Sequence, residues 1–150
     1  MTFSHAVQLG AKLTNDVASV KAALTAAVST GQTALVDGTY AGIMVGESDA
    51  GRGLLIVFSD GVDTSSWLRA DAVLDAAKRA DVVVYGVSVV SRLKPEFLRE
   101  ITSFTGGRLF EIEKWANLSA TFLDEFRHRY LVSYTPKGVA KDDGTSSTCG

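Results

Sequence analysis

Leu54-Leu55-Ile56-Val57-Phe58-Ser59-Asp60-Gly61 is the stretch on which the reading of the fold turns. Five large apolar residues run without a break into Ser-Asp-Gly. An apolar run of that length reads as a strand covered on both faces, as in a parallel sheet flanked by helices. Asp60 then falls where the strand ends. That is the carboxyl edge of the sheet, the side on which open α/β folds bind their ligands. Asp60 is therefore the first candidate for chemistry, whether the ligand is a metal or a phosphate.

Upstream, residues 46–53 form a polar, glycine-rich loop. Before it, Leu35, Val36, Tyr40, Ile43 and Met44 give residues 33–45 a helical pattern, with Thr33 at or just before the N-terminus. Val17, Val20, Ala23, Leu24, Ala27 and Val28 recur at three- and four-residue steps and predict a helix over 15–29. Thr14 or Asn15 would cap it and Gly31 would stop it. Residues 2–9 hold one or two short strands.

Downstream, Asp63-Thr64-Ser65-Ser66 offers several caps for a helix over 67–80, with Leu68, Ala72, Val73, Ala76 and Ala77 along one side. Residues 82–90 repeat the buried-strand pattern. Pro95 opens a short helix with Phe97, Leu98, Ile101 and Phe104 on its apolar face, ended by Gly106-Gly107. Residues 108–112 read as a strand. Asn117 caps a last helix marked by Leu118, Phe122, Phe126 and Tyr130, and residues 131–135 make a final strand before Pro136. Strands alternating with helices imply right-handed crossovers and a three-layer, doubly wound, mostly parallel α/β sheet. One domain over 1–136 is expected. The stretch 137–150 lacks periodicity and reads as a disordered tail.

Composition narrows the function classes. The 150 residues include 15 basic and 17 acidic side chains, a net charge of -2, which argues against nucleic-acid binding through a basic surface. No apolar run reaches the roughly 18 residues of a membrane span. The start of the chain lacks the basic and apolar regions of a signal peptide. The single cysteine, Cys149, excludes an intrachain disulfide. No zinc spacing, nucleophile elbow, dinucleotide fingerprint or P-loop occurs.

What remains is oxygen chemistry. Thr33 and Asp60, a hydroxyl at a helix start and a carboxylate at a strand end, suit part of the octahedral shell of a hard cation such as Mg²⁺. Two such residues alone would hold it weakly. The plainer alternative is that both are helix caps. Asp37 lies in the first turn of its helix, where the helix dipole favours a carboxylate. Asp63 either caps the 67–80 helix, the preferred reading, or joins Asp37 and Ser59 in holding the metal ligands from behind. His128 sits on a polar helix face, His5 has no partner, and Trp67 is either core or a contact residue.

Gly31-Gln32-Thr33-Ala34-Leu35-Val36-Asp37 together with Ile56-Val57-Phe58-Ser59-Asp60-Gly61-Val62-Asp63-Thr64 resembles the von Willebrand factor type A (VWA) domain. Residues 84–89 and the turn Phe104-Thr105-Gly106-Gly107 match its later pattern. The segment Tyr130 to Pro136 is similar to a branch of the family found in Acidobacteria. The resemblance covers about residues 2–136. It implies a doubly wound domain that is not an enzyme, an adhesion or interaction module outside the cytoplasm. Such a module binds a partner's carboxylate through Mg²⁺, Mn²⁺ or Ca²⁺.

The family's metal site combines an Asp-x-Ser-x-Ser, a Thr and a later Asp. Thr33 and Asp60 match the last two. No Asp-x-Ser-x-Ser precedes Thr33, and Thr2-Phe3-Ser4 resembles the end of the family's second strand. The resemblance thus implies a domain truncated at its N-terminus, with an incomplete metal site. Losing a strand from the middle of the sheet would expose ladder edges and favour self-association. Two rivals stay open, a scaffold whose site has decayed and a receiver-like phosphoacceptor domain. The second would need an acidic pair and a lysine that are not visible.

Overall fold

Gly53–Ser59 does form a strand, and it pairs in parallel with Val82–Val89 over its whole length, from Gly53 opposite Val82 to Ser59 opposite Ser88. Val82–Val89 pairs in parallel on its other side with Leu109–Ile112. In chain order the elements are β1 (Thr2–Phe3), β2 (Val7–Gln8), α1 (Val17–Thr25), α2 (Leu35–Glu47), β3 (Gly53–Ser59), α3 (Ala70–Arg79), β4 (Val82–Val89), α4 (Glu96–Phe104) and β5 (Leu109–Ile112). The computed structural model describes residues 1–12, 14–28, 31–47, 53–60, 62–89 and 94–113, all within the unit Met1–Trp115. The expected last helix, the final strand, the boundary at 136 and the tail lie outside the described residues. So does His128.

The short strands expected near the N-terminus form an antiparallel hairpin, with Phe3 opposite Val7. The main sheet has the order β3-β4-β5, parallel throughout. Helices connect its strands, as the alternation of patterns required. Leu55 and Val57 share a sheet face with Val84 and Gly86. Against that face lie α2, α3 and α4, whose Leu35, Ile43, Val73, Ala77, Leu98 and Ile101 join Val57 and Val84 in one core. Gly42 lets α2 approach closely: a Cβ there would stand 2.7 Å from a methyl of Leu55. The opposite face of β4 is buried as well, and Tyr85 stacks on Phe110 with ring centroids 6.2 Å apart.

The strand covered on both faces is thus β4. On β3, Leu54 and Phe58 are each 50% exposed. The apolar run predicted the strand correctly and its burial incorrectly. Apolarity reports what a side chain tolerates, whereas cover depends on neighbours, and among the described residues β3 pairs only with β4.

Two helix starts also differ from expectation. Asp16, not Thr14 or Asn15, caps α1, its carboxylate accepting the Ala18 N–H at 2.9 Å. No residue of α1 is buried, and Val17 and Leu24 stay well exposed. The α3 helix begins at Ala70 rather than at Trp67, because the N–H groups of Trp67 and Leu68 turn instead to the carboxylate of Asp37. Trp67 is 92% exposed and is not core.

The Thr-Gly-Gly turn after α4 has a specific job. Between Val82 and Tyr85, β4 extends beyond the end of β5, whose pairing starts at Gly86 opposite Leu109. The Thr105 hydroxyl takes the place of a strand there. It accepts the buried Val84 N–H at 3.0 Å and donates to the Ile101 carbonyl at 2.8 Å. Gly106 adopts the left-handed φ of 74° that its lack of a Cβ permits. A Cβ on Gly107 would run into the Val84 carbonyl oxygen. Thr105→Val should therefore destabilise the fold by about 1–3 kcal/mol, the cost of a buried N–H left without an acceptor. Gly107→Ala should destabilise it further, because backbone has to move. Urea denaturation checks both, and a Thr105→Val midpoint equal to wild type would remove this role.

Candidate metal-binding site

The first turn of α2 and the loop that follows β3 are fastened to each other by their own polar groups. Thr33 donates its N–H to the Thr64 hydroxyl at 2.8 Å, and its carbonyl accepts the N–H groups of Thr64 and Ser65 at 2.9 and 3.3 Å. The Val36 N–H is shared between Asp63 Oδ1 at 3.2 Å and Ser66 Oγ at 3.1 Å. Asp37 donates its N–H to the same Ser66 hydroxyl, also at 3.1 Å. The Ser66 hydroxyl in turn donates to Asp63 at 2.5 Å.

These are the first N–H groups of α2, which no intrahelical carbonyl can reach. Asp63 and Ser66 cap this helix from a remote loop, so the expected cap by Asp63 of the following helix is corrected. Charge reinforces the geometry, since a carboxylate near a helix N-terminus is favoured by the helix dipole.

The fastening also runs the other way. Asp37, one turn into α2, accepts the Trp67 N–H at Oδ2 and the Leu68 N–H at Oδ1, both at 2.9 Å. Hence Asp37 and Asp63 already use their carboxylates on backbone groups. Thr64, Ser65 and Ser66 use their hydroxyls likewise, Ser65 donating to the Ser4 carbonyl at 3.4 Å.

Two oxygen-bearing side chains remain outside this network. Among the described residues, the Thr33 hydroxyl makes no hydrogen bond. Among the same residues, Asp60 accepts one from the Ser59 hydroxyl at 3.4 Å and none from a backbone N–H, so it caps no helix there. Thr33, Ser59 and Asp60 all line one cleft of about 600 Å³, and Asp37 and Asp63 do not.

The cleft has a definite place in the fold. The six consecutive residues Leu55 to Asp60 border it. Successive strand residues point to opposite faces, so a space touched by all six runs along the edge of β3. Its far wall includes Thr2 and Phe3 of β1 and the apolar residues Leu24, Ala27 and Val28.

The donors suit a hard cation in kind but fall short in number. One carboxylate and two hydroxyls are oxygen ligands of the sort Mg²⁺ takes, and Mg²⁺ keeps several waters in such sites. Among the described residues, no group of three or more His, Cys, Asp or Glu side chains stands close enough to share an ion. Of the five residues expected from the sequence, Thr33 and Asp60 as ligands with Asp37, Ser59 and Asp63 behind them, the cleft brings together Thr33, Ser59 and Asp60 and leaves out Asp37 and Asp63. It missed Thr64 and Ser66, because their partners lie about thirty residues away and local spacing carries no sign of them.

The family model of the von Willebrand factor type A domain matches residues 1–125. The chain belongs to the VWA domain family. Members of that family are protein-interaction modules, and none of the helices among the described residues is long and apolar enough to cross a membrane. A comparison with curated proteins finds no match.

Among solved structures, the conserved hypothetical protein BatB from Bacteroides thetaiotaomicron is similar at a TM-score of 0.57 and 17% identity. That match covers 73% of this chain and 67% of the other. An uncharacterized membrane spanning protein from Vibrio fischeri matches at a TM-score of 0.46 and 23% identity, over 83% of this chain and 72% of the other. The likeness to BatB shows the fold, a doubly wound VWA-like architecture. No Asp-x-Ser-x-Ser motif occurs in the 150 residues.

The remote cap yields a direct expectation for this VWA domain. Ser66→Ala removes the side-chain acceptor of the Asp37 N–H and one of the two acceptors of the Val36 N–H, and should lower stability by about 1–2 kcal/mol, in the range measured for helix caps. Chemical denaturation of the variant measures it, and an unchanged midpoint would show that water replaces the hydroxyl without loss.

Proposed function

We propose that this VWA domain is a non-enzymatic interaction module that meets its protein partner through a divalent cation held by Thr33 and Asp60. The observation that carries the reading is one of elimination. In a loop crowded with hydroxyls and carboxylates, these two keep their oxygens out of the clamp and face a common cleft. Ser59, which donates to Asp60, orients the carboxylate from behind. Asp37 and Asp63 belong behind the ligands in a looser sense, holding backbone rather than metal-bound water.

Mg²⁺ is the ion of choice, with Mn²⁺ or Ca²⁺ as substitutes. When bound it would supply an open coordination position for a carboxylate on the partner, which is the chemistry of adhesion. With no Asp-x-Ser-x-Ser, the protein ligands number two, so most of the shell falls to water. Isothermal titration calorimetry should give Mg²⁺ binding of millimolar strength or weaker, lost in Asp60→Ala. Micromolar binding lost in that variant would mean a fuller ligand set, and binding that survives it would remove Asp60 from the site.

The cleft along β3 also marks the surface for self-association. Leu54 and Phe58 add exposed apolar area to a strand edge, a combination that invites pairing with another chain. Sedimentation velocity should show the average mass rising with concentration. Leu54→Lys, which sets a charge on the exposed side of β3, should return the protein toward monomer.

A further inference from the structure

We propose that Asp37 is a positioning residue for Thr33 and Asp60. By holding the backbone of Trp67 and Leu68, its carboxylate fixes the loop after β3 against the start of α2, and so sets where the two cleft-facing side chains stand. Its consequence for metal binding rests on the reading just given. Its structural part does not.

Thr33 lies two residues before α2 and moves with that helix. Asp60 lies at the end of β3, and residues 62–69 ahead of Ala70 have no regular structure. Such a stretch has backbone N–H groups that need partners from elsewhere.

The two sides are joined at three levels. At Thr33 the bonds run both ways, through Thr64 and Ser65. At Val36 and Asp37, α2 donates and the loop side chains of Asp63 and Ser66 accept. At Trp67 and Leu68 the direction reverses, and the loop donates to Asp37. Among the described residues, Asp37 is the one side chain of α2 in the clamp.

Its role differs from that of a ligand. Both Oδ atoms accept a backbone N–H at 2.9 Å, and the residue does not line the cleft. Bonds from N–H to a carboxylate are stronger than neutral ones and fix direction as well as distance. Two of them on adjacent residues stop the loop from turning about a single contact. Trp67, 92% exposed, gains no hold from packing, so this backbone contact is what places it.

Amide hydrogen exchange without metal tests the structural part. In Asp37→Ala, Trp67 and Leu68 should exchange at least tenfold faster, and Thr33 and Thr64 should accelerate with them, while the core amide of Val84 keeps its protection. Asp37→Asn retains one carbonyl acceptor and should fall between. It also serves if the alanine variant fails to fold. Acceleration confined to Trp67 and Leu68 would overturn the proposal.

A double-mutant cycle read by Mn²⁺-induced broadening of the Thr33 and Asp60 amide signals tests the consequence. Asp37→Asn should weaken Mn²⁺ severalfold in the wild-type background and clearly less in Thr33→Val, where only its effect through Asp60 remains, since neighbours acting through one another are not additive. Additive losses would show that Asp37 acts on the ion by itself and overturn the proposal. A wild-type protein that shows no Mn²⁺ effect would defeat the metal reading alone. The exchange data would then decide the positioning role.

Discussion

The two-way clamp between the start of α2 and the loop after β3 is the constraint on which the polar edge of this domain depends. A helix start and an irregular loop each bring backbone N–H groups that their own structure cannot satisfy. Here each supplies what the other lacks. Asp63 and Ser66 accept from α2, and Asp37 of α2 accepts from Trp67 and Leu68. Three of these five bonds involve a carboxylate, the acceptor type whose net contribution is largest, about 1.5–3 kcal/mol each against about 1 for a neutral pair. The screening of an exposed edge discounts that figure. The choice of acceptor still matters, because a carboxylate accepts without needing to donate.

A second asymmetry lies in the sheet. On β4, Val82 through Ser88 are all buried, with neighbouring strands on both sides. On β3, Val57 alone is buried, and a cleft follows the edge that β4 does not use. The two strands are nearly matched in sequence character, both being runs of large apolar residues. Their difference is one of position in the sheet. The cleft and the exposed apolar residues of α1 belong to the same picture: Leu24 borders the cleft, and no residue of that helix is buried.

These particulars show how much was legible beforehand. The runs at 54–58 and 82–89 announced parallel strands, and Pro95 and Gly106-Gly107 bracketed the helix between β4 and β5, because such signals are local. Thr33 and Asp60 were legible as candidates through their place at a helix start and a strand end, and both line one cleft. The family's motifs strengthened that reading, and the match over residues 1–125 supports the family. The roles of Asp63 and Ser66 were not legible. Asp-Thr-Ser-Ser ahead of a helical pattern reads as a cap for the helix that follows, and nothing in spacing says that it caps one thirty residues earlier. The start of α3 was misread for the same reason. Trp67 and Leu68 fit the helical period, yet a carboxylate from another element holds their N–H groups. The exposure of Leu54 and Phe58 was hidden as well, since it depends on which strands are present beside them.

The same division explains why the candidate site is small. A loop that must satisfy its own backbone spends most of its hydroxyls and carboxylates doing so, and the residues richest in oxygen, 63–66, are those most fully occupied. Freedom to bind a ligand falls to side chains just outside the clamp. Thr33 precedes the first capped N–H, and Asp60 stands three residues before Asp63. The Thr33 backbone belongs to the clamp and Asp60 stands just before it, while neither side chain takes part. Fixed backbone and an oxygen left outside the clamp are the two conditions for a preorganised ligand, and the proposed reading assigns that role to Thr33 and Asp60 because both meet them.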